Sequence, residues 1–373
     1  MDNKNTPGVW GVSPTHGAWF NQELMKDCGM IPYMLHRVYG FRPTMLGRKS
    51  GEYPYLKLMP GMRMEFLPVS EYEYHGAKIR FLQSHFEEMD MLVLYGPYYP
   101  YSDFLREYRK LRPDGKVYMS LDMNSIWAAG IAWTDHWFIE MLDSCDVVAT
   151  SCRKVQEHLN RSWGRWPIHY IPNGFYNLTG QPVNATPQQK ENILLTVGRI
   201  GTEQKANHVL LEAFAAVHTE IPDWQVHLVG RIDDAFLPYI DQYFARYPQL
   251  RDKVFFKGLI EDKAELYAQY ARAKIFALTS VLEGAPNVAA EALFHGCYTV
   301  ISAIDAAGDI TNDGLCGREF PIGDVGALAA ILKEICPDDA LFRDTFPKTI
   351  AYANDCFDWE KIIKRLHGLL YGE

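Results

Sequence analysis

Residues 192–233 read NILLTVGRIGTEQKANHVLLEAFAAVHTEIPDWQVHLVGRID, and this stretch decides the fold. NILLTVGRI (192–200) is a short apolar run that stops at glycine and arginine. HVLLEAFAAVHTEI (208–221) carries a helical pattern, and WQVHLVGRID (224–233) is a second apolar run with the same Gly-Arg ending. Short continuous apolar runs suit strands buried on both faces, and a helix between two of them makes a parallel pair. The pattern extends outward through DKVFFKGLI (252–260), AELYAQYARA (264–273), KIFALTS (274–280), a helix opening near Pro286, and CYTVISAI (297–304). Several strands end in glycine or a polar residue: Gly198-Arg199, Gly230-Arg231, Gly258 and Ser280. Ligands of open α/β sheets bind outside the carboxyl ends of the strands, so these endings point to one crevice.

Upstream the alternation is less regular. GAWFNQELMKDCGM (17–30), FLREYRKLR (104–112), WFIEMLDSC (137–145) and RKVQEHLNRSW (153–163) predict helices. MRMEFLPV (62–69), MDMLVLYG (89–96), KVYMSLDMN (116–124), DVVATS (146–151) and PIHYIPNG (167–174) predict strands. The expectation is therefore an α/β protein of two Rossmann-like, doubly wound domains. The first spans 1–174, the polar FYNLTGQPVNATPQQKE (175–191) links it to the second at 192–345, and a helical segment (346–373) closes the chain.

Length and composition agree. A chain of 373 residues exceeds one ordinary core, and 48% hydrophobic with 22% charged residues is globular. A net charge of −9 speaks against a nucleic-acid footprint. No run approaches a membrane span. The opening MDNKNTPGVWGVSPTHG lacks the apolar centre of a signal peptide, so a cytoplasmic protein is expected. The seven cysteines show neither a CxxC pair nor zinc spacing and read as reduced, mostly buried thiols.

The densest chemistry lies in TSVLEGAPNVAAEALFHG (279–296). Glu283 precedes a helix and Glu291 lies in its second turn. Gly284 and Ala285 let the backbone approach a ligand, and the helix opening at Pro286-Asn287-Val288 offers free N–H groups and a positive dipole end. Arg199 and Lys205, both in the loop after the first strand of this half, supply a guanidinium and an ammonium near the same sheet edge. The ordinary readings are a solvated Arg and Lys, a glutamate favouring a helix start by its charge, and another on a wet helix face.

EGAPNVAAEALFHG resembles the glutamate–seven–glutamate segment of the retaining family 4 glycosyltransferases, whose two Rossmann-like domains face a central cleft in the GT-B arrangement. IPNG (171–174), VGRI with Lys205, HLVGR (227–231), VFFKG (254–258) and AAGDITNDGLCGREFP (306–321) follow the family in order. The resemblance is close over roughly 146–335 and only in outline before that. It implies that Arg199 and Lys205 bind the diphosphate of a nucleotide-sugar donor, Glu283 the donor sugar and Glu291 the ribose. It also implies that the backbone at Gly258 and Leu259 meets the base, and leaves Arg231 between phosphate contact and capping of the sheet edge. A UDP-sugar is the expected donor, with no cofactor. No Asp-x-Asp pair occurs, so the expected catalysis is metal-independent, with retention of configuration.

The first domain should hold the acceptor, a glycan, lipid-linked or small molecule. Where the family often carries paired glycines near the diphosphate, this chain has His16 and Gly17, with Gly17 expected to precede a helix. Where many relatives carry a histidine, it has Asp122, either a hydroxyl-binding or basic group or a helix cap. Tyrosines in LYGPYYPYSDF (94–104) and Trp127, Trp133 and Trp137 suit sugar stacking, a membrane interface or plain packing. Arg37, Arg42, Arg48 and Lys49 admit peripheral contact with the inner membrane face. Two other readings stay open: a sugar-nucleotide epimerase of the same architecture, and a sugar-nucleotide-binding subunit without activity.

Overall fold

A computed structural model describes residues 6–14, 17–180 and 185–372; His16 lies outside them. The chain divides into two compact units, Met1–Tyr176 with Asp358–Glu373, and Asn177–Phe357.

The first unit is built on β1 (Gly8–Val12), β2 (Ala18–Trp19), β3 (Arg42–Lys49), β4 (Arg63–Phe66), β5 (Met91–Tyr95), β6 (Lys116–Ser120), β7 (Val147–Thr150) and β8 (Ile168–Tyr170). Their order is β2-β3-β1-β5-β6-β7-β8, with β4 also paired to β3, and every pairing is parallel. The helices are α1 (Asp27–Tyr39), α2 (Glu71–His85), α3 (Pro100–Leu111), α4 (Ser125–Gly130), α5 (His136–Asp143) and α6 (Arg153–Ser162). Burial of β5 on both faces follows from MLVLY, which is apolar throughout.

The second unit is a six-stranded sheet of β9 (Glu191–Val197), β10 (Gln225–Val229), β11 (Val254–Gly258), β12 (Ala273–Leu278), β13 (Tyr298–Ser302) and β14 (Gly317–Phe320). The order is β11-β10-β9-β12-β13-β14, again all parallel. Its helices are α7 (Asn207–Val217), α8 (Leu237–Arg246), α9 (Lys263–Arg272), α10 (Asn287–Phe294), α11 (Ala307–Thr311), α12 (Val325–Ile335) and α13 (Asp339–Cys356). Leu194, Phe214, Val226, Leu228, Ile275 and Leu332 share one buried cluster, so β9, β10 and β12 close their core beneath α7 and α12.

The helical stretch expected at 346–373 is divided between the units. α13 stays with the second, whereas α14 (Trp359–Tyr371) joins the first and packs against α1. Trp359 is buried with its N–H on the Phe175 carbonyl at 3.3 Å, and the His367 ring stacks on Tyr39 at 3.7 Å.

The helix expected at 17–30 does not form as one element. The Trp19 indole donates to the Leu46 carbonyl at 2.9 Å, and Ala18 and Trp19 pair with Arg48 and Lys49, so this segment is held at the sheet edge. A short 3-10 turn (Asn21–Met25) follows, and α1 begins only at Asp27. Gly17 therefore precedes a strand, not a helix. Among the described residues no helix is long and apolar enough to cross a membrane.

Candidate active site

The second unit brings most of its expected residues to the carboxyl edge of its sheet. Gly198 and Gly230 leave β9 and β10 at φ 146° and 145°, where side chains are rarely tolerated. The Gly198 N–H bonds the Val229 carbonyl at 2.9 Å, and the Gly230 N–H bonds the Gly258 carbonyl at 2.8 Å. A Cβ on Gly230 would lie 1.7 Å from the Gly198 carbonyl oxygen, so the strand ends close only as glycines. This closure delivers Arg199 and Arg231, both exposed, to one cavity of about 300 Å³ that Thr202 and Asp233 also line.

The loop after β9 is tied to the loop after β12. Arg199 donates to the Gln204 side-chain oxygen at 2.6 Å, and the Gln204 amide donates to the Leu282 carbonyl at 2.9 Å. The Val281 N–H bonds the Gln204 carbonyl at 2.8 Å, and the Thr279 hydroxyl bonds the Lys205 carbonyl at 2.8 Å. These bonds bring Lys205 and Glu283 into an ion pair with 14% and 12% of their side chains exposed. Glu283 also accepts the Ser280 hydroxyl at 2.8 Å on the same oxygen, Oε1. The paired charges are thus fixed in position and still reachable.

Glu291 sits in the second turn of α10, which buries Ala289, Ala290, Ala292 and Leu293. Pro286 forms the N-cap in extended conformation and Asn287 the first helical residue, one position later than its rigid ring predicts. The Asn287 side-chain oxygen is buried without a partner at this helix start. Glu291 accepts the Tyr270 hydroxyl at 2.8 Å and lies 3.5 Å from the Lys263 ammonium. Burial first, then the neighbouring Glu291 charge, hold the Tyr270 phenol well above its ordinary range, so it stays a donor. His295, buried below, is pushed down to about 4 by burial and remains neutral, its Nδ1 2.6 Å from the Glu291 carbonyl. At the far end of this edge, Leu259 is 61% exposed beyond Gly258.

Sequence reasoning named Ser280 only as a strand ending and missed Gln204, Lys263 and Tyr270. Only the last two left a signal: Lys263 and Tyr270 are seven apart, hence on one face of α9. Gln204 acts through loop closure, which has no period to read.

On the first unit, Gly17 has φ 68°, and its place is dictated by packing: a Cβ would lie 2.5 Å from the Tyr74 ring. Asp122 is exposed just past β6, at φ 38°, a left-handed conformation uncommon outside glycine. It does not cap α4; Asn124 does, accepting the Trp127 N–H at 2.9 Å. The structure places a second carboxylate beside it. Asp27, the first residue of α1, accepts the Cys28 N–H at 2.9 Å and the Ser120 hydroxyl at 3.2 Å. Burial, and then the Asp122 charge, raise its carboxyl to about 7. Among the described residues neither aspartate has an ion-pair partner.

The family described as "Glycosyl transferases group 1" matches residues 191–338, the span that holds every charged group described above for the second unit. A phosphatidyl-myo-inositol mannosyltransferase of Mycobacterium leprae is 28% identical over 198 residues, 52% of this chain and 51% of that protein. The match thus spans about half the length of that curated relative. A glycosyltransferase of Rickettsia africae superposes with a TM-score of 0.75 at 14% identity, covering 99% and 98% of the two chains. Anabaena HepE, in complex with UDP and glucose, does so at 0.70 and 16%, covering 99% and 100%. The fold is GT-B, and within it residues 191–338 are similar to the group 1 glycosyl transferases.

Proposed function

We propose that this protein transfers a hexosyl group from a nucleoside diphosphate sugar, UDP-hexose in the first instance, to a hydroxyl acceptor. The observation that carries this reading is the cross-linked pair of loops that sets Arg199, Lys205 and Glu283 at one sheet edge. When the glycosidic C–O bond breaks, negative charge accumulates on the departing diphosphate. Cations fixed beforehand act mainly on that charge and lower the barrier without reorganising. Arg199, bonded to Gln204, and Lys205, bonded to Glu283, are such cations. Glu283 retains Oε2 for a sugar hydroxyl while Lys205 and Ser280 share Oε1. Glu291 offers the ribose a carboxylate oriented by Tyr270 and Lys263. Two arginines and a lysine give the diphosphate its counter-charge, which supports catalysis without a divalent ion.

Asp122 and Asp27 serve the acceptor side: a carboxyl near 7 exchanges a proton with a hydroxyl far more readily than an ordinary aspartate. We assign the product the donor's own anomeric configuration, as the resemblance of residues 283–296 to the retaining family implies. The acceptor is a glycan or a lipid-linked sugar, in keeping with the lipid named for the mycobacterial relative, met in the cytoplasm or at the inner membrane face. The test is release of nucleoside diphosphate from a panel of UDP-, GDP- and ADP-sugars, in EDTA, with and without hydroxyl acceptors. Acceptor-dependent release that Glu283→Gln lowers at least about a hundredfold supports the reading. Sugar interconversion with no acceptor would assign an epimerase instead.

A further inference from the structure

The amino end of the first sheet carries a second, chemically different cavity. Parallel register sets Gly8 opposite Arg42, Trp10 opposite Thr44, and Thr44 opposite Arg63. Paired residues in a sheet share a face, and alternate residues along each strand return to it. Gly8, Trp10, Arg42, Thr44, Arg63 and Glu65 therefore all stand on one side of β1, β3 and β4. A covered face of a parallel sheet is ordinarily apolar. Here the covering helix α2 supplies Phe81 and His85, and the space left between holds about 290 Å³.

The glycine opposite Arg42 lets the Glu88 backbone close one wall of that space; a Cβ on Gly8 would lie 1.9 Å from the Glu88 carbonyl oxygen. The Arg42 Nε is buried and bonds to nothing. A guanidinium cannot shed its proton to escape that cost, so a buried N–H of this kind calls for an acceptor. The nearby carboxylates do not serve: among the described residues Arg42 and Arg63 make no ion pair, and Asp90 is taken by Arg112 at 2.6 Å and by the Gly8 N–H at 2.7 Å. One wall is apolar, with the Trp10 and Phe81 rings 5.8 Å apart and inclined at 55°.

We infer that this cavity binds a small organic oxyanion, its anionic head on Arg42 and Arg63 and its apolar body against Trp10 and Phe81. It lies at the opposite end of the strands from Asp27 and Asp122, and it does not depend on the proposed reaction. The probe is phenyl phosphate, followed by the Trp10 indole N–H resonance of the full chain. That N–H donates to the Glu88 carbonyl at 2.9 Å and so reports on the cavity wall. Phenyl phosphate is expected to shift this resonance saturably, inorganic phosphate more weakly and benzyl alcohol not at all. Arg42→Gln is expected to weaken the interaction at least tenfold and Arg63→Gln severalfold. Arg199→Gln, which disables the phosphate-facing edge of the other unit, should leave the shift unchanged. A Trp10 resonance indifferent to phenyl phosphate, or a shift equally strong in both Arg42→Gln and Arg63→Gln, overturns the inference. If Arg42→Gln fails to fold, Arg63→Gln and the benzyl alcohol comparison still decide it.

Discussion

Lys205 and Glu283 form one pair that bears on stability and, in the proposed reaction, on chemistry. Each is mostly buried, and each would leave the other without its counter-charge if removed. Breaking such a pair from one side costs more than removing both partners. Lys205→Ala is expected to lower unfolding free energy by about 1–3 kcal/mol, and Lys205→Met with Glu283→Gln to regain most of it. A double variant as unstable as the two single losses added together would mean the charges do not interact. Asp27 gives a prediction in pH. Its carboxyl is raised from 3.8 to about 7 in the folded protein, so the folded state binds the extra proton between those values. Stability from this group is full below about 4 and is lost as pH climbs through 7. Asp27→Asn should therefore stabilise the protein at pH 8 by on the order of 1–3 kcal/mol and leave it nearly unchanged at pH 4. Urea melts at the two pH values check this; an equal effect at both would show that Asp27 is not the titrating group. Both aspartates escape the sequence pattern in part: Asp122 stands where a relative's histidine is expected, whereas Asp27 gains meaning only when α1 meets Ser120.

Among the elements, the junction of α2 and α3 holds a charge that no neighbour meets. Lys78 is fully buried, its ammonium has no hydrogen-bond partner, and the Tyr74, Tyr101 and Phe104 rings lie 5.4, 4.9 and 5.2 Å from it. Burial lowers its amine to about 7. Unfolded lysine titrates near 10.5, so the unfolded chain binds more protons between 7 and 10.5 and stability rises with pH across that window. Lys78→Met should stabilise by roughly 2–5 kcal/mol at pH 7 and by much less at pH 10.5. A constant gain at every pH would assign the effect to packing alone. Element by element, the second unit was the more legible. VGRI, HLVGR and VFFKG announce their strands because each is apolar to the sheet edge. In the first unit, GVWGV and RPTMLGRK became β1 and β3 despite glycine, proline and arginine, because pairing on a central sheet overrides local preference. The helix expected at 17–30 failed for the same reason: Trp19 gains more from the sheet edge than from a helical turn.

At the scale of the whole molecule, two all-parallel sheets present polar strand ends of opposite character. The second unit gathers Arg199, Lys205 and Arg231 with two oriented glutamates, and the first sets Asp27 and Asp122 beside tyrosines. A chain at net charge −9 thus gathers these three cations on one strand edge, where the proposed anionic donor would need them. The spacing of Glu283 and Glu291 was readable as letters; the bonds through Gln204, Ser280, Lys263 and Tyr270 that orient them were not, since they join segments far apart in sequence. The central claim is that this edge binds a nucleoside diphosphate without metal. Titration calorimetry with UDP in EDTA tests it directly, on the wild-type protein and on Glu291→Gln and Arg199→Gln. Saturable one-to-one binding in the wild type, weakened about tenfold or more in each variant, is the expected result, a tenfold loss being about 1.4 kcal/mol. If neither UDP nor GDP or ADP binds, or if both variants bind as tightly as the wild type, the assignment of this edge to the donor is wrong.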